Sequence, residues 1–119
     1  MTVYTLYLTD PKSLGFLELS LSNPEKALSL FRKADELIRR AQAPLGLAGN
    51  LAGMILCYKQ LNTLDDDTLK ELATEALTIA LKFGVESAVM QTLLSVLYEA
   101  CDEDEDKLKA LLDSLGFDA

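Results

Sequence analysis

The residues able to do chemistry are few in this chain, and their spacing matches no catalytic device. There is no histidine among the 119 residues, so the commonest general base is missing. The two cysteines, Cys57 and Cys101, cannot by themselves complete a structural zinc site, which takes four Cys or His ligands. Asp102, Asp104 and Asp106 with Asp113 occupy the first, third, fifth and twelfth places of a calcium-loop pattern. The sixth place, where that loop needs glycine for its sharp turn, is Lys107. Leu108, Leu111 and Leu112 continue a helical pattern straight across the would-be loop, so the acids read as helix-capping and solubilising groups. Gly46, Gly49 and Gly53 lie in a helical pattern without the lysine and Ser/Thr of a phosphate loop. Neither catalysis nor a cofactor or metal is expected.

Charge narrows the partners. Residues 1–62 carry seven Lys/Arg and five Asp/Glu, a balance of +2, and residues 63–119 carry four and fourteen, a balance of −10. A domain this acidic repels phosphates, so no direct nucleic-acid partner is expected. The acidic half would suit a basic partner, or simply keep the chain in solution. Residues 1–9 lack the basic start and long apolar core of a signal peptide. With the thiols expected reduced and unlinked, the cytoplasm is the expected compartment.

The elements that must position any site are helices. Leu, Ala, Lys and Glu dominate, and only three prolines interrupt the chain. Residues 1–9 alternate weakly and read as an extended lead-in, with Asp10 capping a helix that opens at Pro11. Asn23 caps the next, opened by Pro24, whose Ala27, Phe31, Ala34, Leu37, Ile38 and Ala41 form one apolar stripe. Its other side carries Lys26, Arg32, Lys33, Arg39 and Arg40 as a solvated face. Pro44 to Leu61 is apolar nearly all round, with Asn50 its only strongly polar residue before Lys59, and predicts a helix buried between its neighbours. It is too short and too interrupted to span a membrane, and no membrane partner is expected. Gly49 and Gly53, like Ala48 and Ala52, stand four apart, which fits either close helix packing or a surface with room for a peptide. Aspartates 65–67 start a helix that stops at Gly84, a further helix covers about 86–101, and a last short one ends near Gly116.

These helices pair with a period near 40. Ala27, Phe31 and Ala34 recur as Leu69, Ala73 and Ala76, and again as Leu108, Leu112 and Leu115, at offsets of 42 and 39 residues. The run Leu14-Gly15…Ser22-Asn23-Pro24…Ala27…Phe31…Ala34 resembles the tetratricopeptide repeat (TPR) family over residues 10–116. The expected fold is all-α: one domain over 1–119, with hairpins at about 10–42, 44–84 and 86–116. The six helices would stack as a TPR-like α-solenoid with a right-handed superhelix, or close as a compact bundle.

The resemblance implies a protein–protein interaction module, a small adaptor or chaperone binding a partner peptide or helix in a concave groove. Mapping the family's inward positions selects Lys12, Phe16 and Leu19, then Ala52, Leu56 and Lys59, then Thr92 and Val96. Some members hold a chain-terminal carboxylate with lysine and asparagine; Lys12 is placed for that, but Phe16 stands where the asparagine would be. If the short stack closes on itself, Phe16 and Leu56 become core instead. The alternative reading is a small acidic inhibitor, an immunity protein or phage-encoded antagonist, blocking a basic site with the C-terminal half. Self-association is left open.

Overall fold

The computed structural model describes residues 11–117; the readings made for residues 1–9 and for Asp10 as a cap lie outside them. Six helices follow one another: α1 (Pro11–Ser20), α2 (Pro24–Ala41), α3 (Pro44–Gln60), α4 (Asp66–Leu81), α5 (Ala88–Ala100) and α6 (Glu105–Ser114), with no strand among the described residues. The fold is all-α, as expected.

Local chemistry fixes the helix starts. Pro24 and Pro44 open α2 and α3, where a fixed φ is already helical and the missing N–H would have had no partner. Side-chain caps open the other three of α2–α6: Asp65 accepts the N–H of Thr68, Ser87 that of Met90, and Asp104 those of Asp106 and Lys107. Asn23 departs from its expected role. It holds the N-cap position of α2 without a capping bond. Its amide instead donates to Glu18 Oε2 at 2.9 Å, tying α2 back to α1.

Most helix ends share one device. After α1, α2, α3 and α5 the chain turns through a left-handed residue, respectively Ser22, Gln42, Asn62 and Asp102. The next residue's N–H then reaches back five places, as from Ala43 to Ile38 O at 3.3 Å and from Thr63 to Tyr58 O at 3.0 Å. Helix α6 ends in the same way but with a glycine, Gly116, at the left-handed place. A side chain in this region crowds the following carbonyl. Gln42 is exposed, with φ 53° and ψ 47°. Gln42→Gly should therefore raise stability by about 1 kcal/mol, seen as a higher urea midpoint at unchanged slope.

Packing makes a stack of hairpins. Helices α1, α3 and α5 touch in series, and α3 also packs on α2 and α4. The molecule measures 45 × 30 × 21 Å, and its least dimension is about two helix diameters. Charge divides the helices the same way. Only four of the 40 residues of α1, α3 and α5 are charged, against 18 of the 44 in α2, α4 and α6. The apolar character of α3 is thus satisfied by neighbours on several sides. No helix is long and apolar enough to cross a membrane among the described residues.

Phe31 is the key of the first half. Its side chain is fully buried, with α1 on one side and α3 on the other. A Cβ added at Gly15 would stand 2.9 Å from the ring, and one at Gly53 only 2.4 Å. The two glycines are the seats that let three helices close on one aromatic ring. Asn50, the polar exception in α3, is also fully buried and donates from Nδ2 to the Phe31 carbonyl at 2.8 Å. Its Oδ1 has no hydrogen-bond partner.

Candidate functional site

The small residues of α3 divide between two tasks. Gly53 faces Phe31 in the core, whereas Gly49 opens on a shallow depression between α3 and α5. Only the Lys12 ammonium comes near the place of a Gly49 Cβ, at 3.6 Å. The depression holds about 210 Å³ and is floored by Ala48, Gly49 and Ala52, with Val89 and Thr92 opposite. Its floor is low because the side chains are small, and the charge beside it is the Lys12 ammonium next to Gly49.

The eight residues selected from the sequence separate into four groups. Ala52, Thr92 and, through Gly49, Lys12 meet at this depression. Phe16 and Leu56 are half-buried: Phe16 sets its ring edge-on to Phe31 at 4.9 Å and 79°, and Leu56 packs against both buried clusters. Leu19 and Val96 are buried and give the depression no surface. Lys59 is drawn aside into an ion pair with Asp102. Val89 and Ala88 were not selected although they line the depression. Their only signal in the sequence is their place one turn before Thr92.

The charged groups are engaged elsewhere. Arg39 forks onto Glu75 at 2.8 and 2.9 Å and also reaches Asp35 at 2.9 Å, joining α2 to α4. These bonds hold Glu75 below the usual carboxylate range and Arg39 firmly protonated. Asp102 accepts from both Lys59 and Lys107, and those bonds lower its carboxyl in the same way. Helix α6 spans the places where a calcium loop would need a turn, and Asp104 is spent on its cap. No group of acids, cysteines or histidines able to hold a metal occurs among the described residues. Cys57 is fully buried in α3, and burial pushes its thiol up to about 12. A thiol so rarely ionised is a poor nucleophile. Burial, and next the Asp102 charge, also raise Cys101, and neither cysteine is in a disulfide.

No protein-family model, no curated protein and no solved structure matches this chain.

Proposed function

We propose that this chain is a non-enzymatic protein–protein interaction module of the cytoplasm, a small TPR-like adaptor or chaperone. It takes a partner's peptide or helix against the face made by α1, α3 and α5. The observation that supports this reading is the low floor of small residues, Ala48, Gly49 and Ala52, between two packed helices, with the Lys12 ammonium at its edge. Side chains there could have been large and apolar, as elsewhere in α3; small ones leave room for a visitor's backbone or aliphatic side chain. The charged helices α2, α4 and α6 keep the opposite layer wet. The paired Leu14-Gly15 and the Gly15–Phe31–Gly53 seat are what a TPR-like stack would use to close its hairpins.

The test is selection of binders from a displayed random-peptide library on the full chain. The selected peptides are then measured against Gly49→Val and Thr92→Arg. Both positions have space, so melting temperatures should hold. Binding should weaken at least about tenfold when the depression is filled or charged, a loss of about 1.4 kcal/mol. Peptides that bind both variants as tightly as the parent would sink the proposal. An inhibitor acting through its acidic half predicts a different result: basic binders, lost in salt and indifferent to Thr92→Arg.

A further inference from the structure

Helix α6 is attached unlike the others. Its one helix contact of note is with α5, the slightest of such contacts between helix pairs, where Leu111 and Leu112 are buried. The turn that carries it holds two consecutive left-handed residues, Asp102 at φ 61° and Glu103 at φ 56°, neither of them glycine. Such backbone persists only where its surroundings fix it. The helix-end turn accounts for Asp102, whose successor Glu103 donates its N–H to Tyr98 O at 2.9 Å. The side-chain tie across the turn is one carboxylate: Asp102 accepts from Lys59 of α3 through one oxygen and from Lys107 of α6 through the other.

On the other flank α6 stands off from α4. A cavity of about 570 Å³ separates Leu108 and Leu112 from Leu77 and Leu81, with Met90 and Leu94 lining it from α5. The gap between α2 and α4 is bridged by the Arg39–Glu75 fork. No ion pair joins α4 to α6 among the described residues.

We propose that α6 is a hinged flap. It swings as a unit about Asp102–Glu103, with the Asp102 carboxylate as its latch, and its opening uncovers an apolar surface on α4 and α5. Opening releases Glu103, the left-handed residue beyond the end of α5, to ordinary backbone, which offsets part of the cost of exposing Leu111 and Leu112. The closed and open forms are then two states of one molecule, differing in how much apolar surface is presented.

Hydrogen exchange on the full chain, read by mass spectrometry, tests this. Amides of 105–114 should exchange at least about tenfold faster than those of α3, since a sub-global opening precedes global unfolding. Asp102→Asn removes the latch charge while keeping a residue that accepts left-handed backbone. It should speed exchange in α6 several-fold further and leave α2 and α3 unchanged. Asp113→Asn, an equal charge change on the exposed side of α6, should do neither. Equal protection of α6 and α3 in the parent overturns the flap. An Asp102→Asn effect that is absent, uniform over all helices or matched by Asp113→Asn overturns the latch.

Discussion

Gly53→Ala should cost the fold about 2–3 kcal/mol, an overpacking loss, even though alanine is the better helix former by about 1 kcal/mol. The added Cβ would lie 2.4 and 2.5 Å from two carbons of the Phe31 ring, well inside contact distance. The ring has nowhere to retreat, because a Cβ placed at Gly15, on its other side, is itself only 2.9 Å away. The urea midpoint reports the loss. Phe31→Leu made in the Gly53→Ala background should recover part of it, although Phe31→Leu alone destabilises. That sign of coupling, of order 1 kcal/mol or more for groups in contact, is what distinguishes a steric seat from a helix-propensity effect. A Gly53→Ala protein as stable as its parent would dismiss the seat.

Asn50→Asp should be costlier still, about 3–5 kcal/mol at neutral pH, the penalty of an uncompensated buried charge. The change is nearly isosteric. It replaces the donor that now meets the Phe31 carbonyl at 2.8 Å with a carboxylate oxygen, in a site with no solvent exposure. Burial must raise the new carboxyl in the folded state above its unfolded value, about 3.9. The penalty is therefore complete at neutral pH, fades as pH falls through the raised folded value, and is gone below the unfolded one. Denaturation series at pH 7 and pH 5 should show the gap between parent and variant narrowing. A gap that stays constant would mean that the residue at 50 is not in the dry place described.

How much of this was legible beforehand differs from residue to residue. The stripe of Ala27, Phe31 and Ala34 announces a helix and its buried face, because the 3.6-residue period acts within one element. Pro24, Pro44 and the 65–67 aspartates mark helix starts for equally local reasons. The depression was half legible: Ala52 and Thr92 were selected, whereas Leu19 and Val96 were selected and lie in the core. Helix α3 is apolar on every side, so its pattern carries no phase to say which side faces out. Gly49 and Gly53 look alike in sequence and do opposite things, since their roles depend on what stands across from them. The Asn50–Phe31 bond and the Asp102 pairs span 19, 43 and 5 residues, and periodicity in one element cannot foresee partners in another.

The seating of Phe31 bears on the order in which this chain acquires structure. The ring belongs to α2, yet both its walls are glycines of other helices, one before it and one after. A nascent chain that has released only α1 and α2 cannot complete that enclosure; it must wait for residue 53 and its turn of helix. The first two hairpins are then coupled through an interface that neither completes alone. The first two hairpins of a stack built this way melt together rather than one after the other, and a ribosome-bound fragment ending near residue 42 stays unfolded.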